Sequence, residues 1–212
     1  LIVQIINDCG SLNYDVEKLA WVKEFASNMH NDYPGFELNI LEVHDQNNVL
    51  ALNADLYIYP ISESQIQVGF RDTSCFSDGS KPFKQRLHRI TISNKAKTKA
   101  DALSAFLMLV IGVVIIPSGM GCYSTDIYDL LSVMQQGKNA TLVDNEYFNL
   151  NQQTDILSLL IWFNGRGKLS DNFYQLCCKI KERFNNADVL TIANVTHYPI
   201  LKESTLALLI TR

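Results

Sequence analysis

The residues whose types and spacing could do chemistry are Asp126 and Asp129, in the stretch Gly121-Cys-Tyr-Ser-Thr-Asp-Ile-Tyr-Asp-Leu-Leu-Ser-Val-Met134. This stretch leaves a long apolar segment, turns at Gly119 and Gly121, and enters a helix for which Ser124 or Thr125 is the expected cap. Three residues apart, the two carboxylates are expected on one face of that helix's first turn. A carboxylate pair so placed can accept a proton or orient a water molecule. Acidic groups in a first turn also offset the helix dipole, an effect of about 0.3–1 kcal/mol. Spacing alone leaves both roles open.

Other sources of chemistry are thin. The sequence has no Gly-x-x-x-x-Gly-Lys-Ser/Thr, Gly-x-Gly-x-x-Gly, His-Glu-x-x-His or Gly-x-Ser-x-Gly. His30, His44, His88 and His197 are isolated from one another, and the five cysteines include no Cys-x-x-Cys pair. No metal site is expected. Cys177-Cys178 falls on a helical pattern, with Cys177 in line with the apolar stripe and Cys178 beside it. Asn164-Gly-Arg166-Gly reads as a tight turn. Backbone N–H groups converge on an anion where a turn opens a helix. Only Cys9-Gly10-Ser11 offers that setting, and a plain turn accounts for it equally well.

The elements that must position these residues follow from periodicity. Leu1–Asn7 reads as a buried strand, Asp15–His30 as a helix closed by Pro34-Gly35, and Phe36–Val43 as a second strand. Ala54–Pro60, Gln65–Phe70 and Leu87–Ser93 read as further strands, with a polar loop over 71–84. Thr98 with Asp101 resembles a capping box for a helix over Lys99–Leu109. The run Gly112-Val-Val-Ile-Ile-Pro117 can continue that helix or form a buried strand. After the Asp126 helix come a Gln-Gly-Lys turn, strands over Ala140–Phe148 and Ile156–Phe163, and a helix from Ser170 to Phe184. Strands over Val189–Val195 and Thr205–Thr211 complete the order, which suggests an α/β fold.

With 212 residues, 47% hydrophobic and 19% charged, the chain can bury a substantial core. A net charge of −4 without a basic block argues against a large nucleic-acid footprint. The uncharged run over 102–120 is the one stretch that could suggest a membrane span. Its strongly apolar part, 105–116, falls short of the roughly 20 residues a span needs. A buried central helix is expected instead. The chain opens on a strand-like run rather than a leader pattern, so a reduced, cytoplasmic protein is expected and the Asn139 and Asn194 sequons read as chance matches.

The ordered second half resembles the C-terminal part of the tubulin/FtsZ superfamily. In bacterial FtsZ the corresponding segment reads Gly-Leu-Ile-Asn-x-Asp-Phe-Ala-Asp-Val-x-x-Val-Met. The stretch 121–134 keeps its glycine, both aspartates and the Val-Met, with Ser124 in the place of asparagine. Ile161-Trp-Phe-Asn-Gly-Arg-Gly167 is similar to the family's Val-Asn-Ile-x-Gly-Gly strand end, and the order holds through roughly 90 residues. Matches in the first half are shorter. Ile2-Val-Gln-Ile5 followed by Cys9-Gly10 is similar to the tubulin start. Ser64-Gln-Ile-Gln-Val-Gly69 and Ser80-Lys-Pro-Phe83 are similar to FtsZ's Lys-Ile-Gln-x-Gly and Thr-Lys-Pro-Phe. The family's Gly-Gly-Gly-Thr-Gly-Thr-Gly phosphate loop has no counterpart. Residues 70–80 stand where the family has a helix, that loop, a strand and another helix.

The resemblance implies a Rossmann-like N-terminal α/β domain over 1–95, a long central helix over 96–120 and an α+β C-terminal domain over 121–212. It implies GTP or GDP, with or without Mg, contacted by Cys9, Gly10 and Ser11. It makes Asp126 and Asp129 catalytic toward the nucleotide of the next subunit in a head-to-tail filament. The alternative it leaves is a non-catalytic module that binds or caps another filament protein, with an adaptor as partner.

Overall fold

A computed structural model describes residues 1–7, 24, 37–42, 54–71, 87–96, 101–115, 125–144, 155–165, 171–196 and 204–211. Among the described residues nine strands form one mixed sheet: β1 (Ile2–Asn7), β2 (Glu37–Glu42), β3 (Leu56–Ser62), β4 (Gln65–Arg71), β5 (Leu87–Asn94), β6 (Asn139–Asp144), β7 (Ile156–Gly165), β8 (Val189–Thr196) and β9 (Ser204–Thr211). Their spatial order is β2-β1-β3-β4-β5-β6-β9-β7-β8. The described helices of more than one turn are α1 (Ala102–Val110), α2 (Ile127–Met134) and α3 (Asp171–Arg183), with a π-helical turn over Ile111–Ile115 directly after α1. The α/β expectation holds. Of the helix expected over Asp15–His30, only Glu24 is described, and it is helical.

Strands alternate their side chains between two faces, and the sequence uses both. In β7, Leu160 and Trp162 join one core while Leu159 and Ile161 join another. Likewise Leu206, Leu208 and Ile210 of β9 face the first core, and Ala207 and Leu209 face the second. The first core takes α1 and α2; the second takes Ile180 of α3 and Phe184 in the turn directly after it. Strands buried on both faces read as near-continuous apolar runs, which is how 156–163 and 205–211 read. A third, smaller cluster gathers Ile6, Ala54 and Tyr57.

One sheet runs through the boundary expected between the two domains. Thr91–Asn94 of β5 pair in parallel with Asn139–Leu142 of β6, reinforced by Lys95 N–H donating to the Leu142 carbonyl at 2.8 Å. The first core draws on strands from β1 to β9, so both halves share it. The connection between β5 and β6 is α1, the π turn and α2, a crossover of the kind parallel neighbours require. Within the first half, β3, β4 and β5 form an antiparallel meander beside the parallel pairs β1–β2 and β1–β3.

The central helix is shorter than the span 96–120 and starts later than Lys99. Asp101, rather than Thr98, caps it: its Oδ1 accepts the Ser104 N–H at 2.8 Å and its Oδ2 accepts the Ser104 hydroxyl at 3.0 Å. Thr98 lies outside the described residues. Of α1 only Met108 is not fully buried. No described helix is long and apolar enough to cross a membrane. The open question over 112–117 is resolved as far as Ile115 in favour of helix, with a widened π turn. Burial of Ile111 and Val113, worth about 1.5–3 kcal/mol each, more than offsets the helix-propensity cost of β-branched residues, at most about 0.7 kcal/mol.

Gly112 is the contact that seats this turn on the sheet. Trp162, fully buried on β7, lies where a Cβ at position 112 would be. A rigid indole cannot step aside cheaply in a close-packed interior. Gly112→Ala is therefore expected to cost about 1–3 kcal/mol in denaturant unfolding. A loss below about 0.5 kcal/mol would show that this seat is not tight.

Candidate functional site

Asp126 is the N-cap of α2, one step before the first turn in which the spacing placed it. Its backbone is extended, φ −131° and ψ −175°, and its Oδ1 accepts the N–H groups of Tyr128 at 2.8 Å and Asp129 at 3.1 Å. Asp129 reaches back, its Oδ2 accepting the Asp126 N–H at 3.0 Å. The pair is a reciprocal capping box, which satisfies backbone donors that the helix start would otherwise leave open. Ser124 lies outside the described residues, and Thr125 does not cap.

Thr125 has another task. Its buried hydroxyl donates to the Val113 carbonyl in the π turn, tying the mouth of α2 to the seat under Trp162. At the far end of α2, the buried Ser158 hydroxyl on β7 donates to the Val133 carbonyl at 2.7 Å. A helix of eight residues is too short to hold itself together in water, so these anchors and its apolar face fix it. Leu130, Leu131, Val133 and Met134 supply that face.

The two carboxylates therefore sit at a rigidly placed helix mouth. Asp126 is exposed and Asp129 half-buried. Each commits one oxygen to the box; among the described residues, Asp126 Oδ2 and Asp129 Oδ1 accept no hydrogen bond. Tyr128 between them is 58% exposed, so the mouth presents an aromatic ring flanked by acids. That arrangement can orient water or meet a cationic surface, while it also stabilises its own helix.

The other sequence candidates form no second site among the described residues. Cys9, Gly10 and Ser11 lie outside the described residues. Among the described residues no three His, Cys, Asp or Glu side chains come together as metal ligands. His88 is structural: its ring packs on Phe70 with centroids 4.9 Å apart, and its Nε2 lies 3.1 Å from the Gly137 carbonyl oxygen. Cys177 and Cys178 are free thiols, both half-buried. Burial pushes the Cys177 thiol up, partly opposed by the nearby Lys181 ammonium, which is the wrong direction for a nucleophile. The turn expected at Asn164-Gly165 is instead the end of β7. Asn164 and Gly165 pair with Val195 and Thr196 of β8, because the parallel neighbour continues that far. Arg166 and Gly167 lie outside the described residues.

Two features escaped the sequence. The anchors from Thr125 and Ser158 are long-range contacts to carbonyls, which no local pattern marks. The Trp162 Nε1 is buried and, among the described residues, has no hydrogen-bond partner. No family model, curated protein or solved structure matches the chain.

Asp126→Ala is expected to destabilise the fold by about 1 kcal/mol, since it removes the cap. Asp126→Asn keeps an accepting side-chain oxygen and should cost markedly less. Equal losses in thermal unfolding would mean that the carboxylate charge, rather than the hydrogen bonds, holds the helix start.

Proposed function

We propose that this protein is a tubulin/FtsZ-like subunit that assembles head to tail, with guanine nucleotide held between subunits. In this reading Asp126 and Asp129 act on the nucleotide of the neighbouring subunit. The observation that carries the reading is the carboxylate pair at the fixed mouth of α2, Asp126 exposed and Asp129 half-buried, each with one oxygen uncommitted among the described residues. A water bridging those oxygens would be held by groups that need not reorganise during attack on a phosphate. In this reading the exposed Asp126 brings the pair to the nucleotide of a neighbouring molecule. Heterologous contacts of this kind do not close and build filaments. The first-half nucleotide contact would come from Cys9, Gly10 and Ser11.

A second reading has its own support. Both aspartates already serve their own helix through the capping box, and residues 70–80 replace the family's glycine-rich phosphate loop. In that reading the protein is a non-catalytic module that binds or caps another filament protein through the acidic mouth of α2.

GTP turnover by purified protein distinguishes them. The first reading expects turnover per molecule to rise with protein concentration. It also expects Asp126→Asn, which retains the cap, to lose about 100-fold or more in rate while GTP binding by calorimetry persists. Turnover independent of concentration would count against a shared site. Absence of both binding and turnover in the wild type would favour the second reading.

A further inference from the structure

The sheet is open, with β2 at one edge and β8 at the other. An edge strand carries a row of backbone N–H and C=O groups that only another extended chain can satisfy. Proteins commonly blunt such edges with charge, proline, a bulge or a short strand. The β2 edge follows that practice: its segment begins at Glu37 and ends at Glu42, so an antiparallel copy would set like charges opposite each other at both ends.

The β8 edge uses none of these devices. Val-Leu-Thr-Ile-Ala-Asn-Val-Thr has no charge and no proline, and it is eight residues long. Its pairing with β7 runs in register from Val189 to Thr196 without a shift, unlike β3–β4 and β7–β9, which both carry irregularities. Among the described residues no strand lies beyond it. Side-chain burial has the same gradient. Leu159, Ile161 and Leu209 on the inner strands are at most 2% exposed, whereas Leu190 and Ile192 of β8 remain half-buried on the α3 side. On the other face Val189 and Thr191 are likewise only half-buried.

We propose that β8 is a lateral self-association edge, at which two copies of this chain pair β8 to β8 antiparallel and extend the sheet across a two-fold axis. The occupant is a strand because the edge offers backbone groups. It is a second copy because a neutral segment meets no like charge when paired with itself and offers nothing to select a charged peptide. Antiparallel pairing is isologous and closes at two subunits. It would also bring the half-buried Leu190 and Ile192 of the two copies together across the axis. This contact is independent of the head-to-tail reading and of nucleotide.

Sedimentation of the full chain without nucleotide, over a range of concentrations, tests it. A discrete dimer is expected. Thr191→Lys, which places a charge at the middle of the edge in both copies, should weaken dimerisation at least about tenfold, while Thr191→Val should not. Circular dichroism checks that both variants fold. Hydrogen exchange on the wild type gives a readout that needs no variant: alternate β8 amides should gain protection as concentration rises, and β2 amides should not. A monomer at all concentrations, open-ended aggregates, or a dimer indifferent to Thr191→Lys would overturn the proposal. So would β8 protection that does not change with concentration, since the edge would then be covered by its own chain.

Discussion

The placement of Trp162 against Gly112 is the constraint on which the other arrangements depend. It seats the π turn on β7, deep in the core shared by both halves. The π turn holds out the Val113 carbonyl, which receives the Thr125 hydroxyl, and the next residue is the Asp126 cap. The chain from sheet to helix mouth is therefore short: indole, glycine, carbonyl, hydroxyl, carboxylate. Among the described residues the buried indole N–H has no hydrogen-bond partner, so the ring's contribution here is its shape and apolar area.

Periodicity made much of the fold legible. All nine strands were expected, most within two residues of their ends, because burial on one or both faces leaves a plain apolar pattern. Helix starts were less legible. Both caps fell on an aspartate one or more positions after the expected residue, since Ser, Thr and Asp are all good caps and several stand together at each site. Asp126 and Asp129 have capping-box spacing, a signal present in the sequence but overshadowed by their value as a carboxylate pair. What the sequence could not disclose was that β5 pairs with β6. That contact joins segments more than forty residues apart, and no local rule marks which edges meet.

Helices on opposite faces serve different parts of the molecule. On one face, α1, the π turn and α2 carry the chain from β5 to β6 and position the acidic mouth. On the other, α3 lies between β7 and β8 in the chain, and its Ile180, with Phe184 just after it, covers the second core. The candidate site and the β8 edge nevertheless share a layer, since α2 packs on β7 and β8 and Val189 of β8 joins the first core beside Leu130 and Val133.

The position of β9 bears on how the chain reaches this state. It follows the other described strands in sequence, yet it lies between β6 and β7 and hydrogen-bonds to both. Until it has been synthesised, β6 and β7 each expose an unpaired flank and the two cores lack Leu206, Leu208 and Leu209. A chain that has made every described element before β9 is still an incomplete sheet with a gap between β6 and β7, a sticky species of the kind that chaperones shield. Consolidation of both cores therefore waits on β9, which joins the sheet by insertion rather than by edge addition.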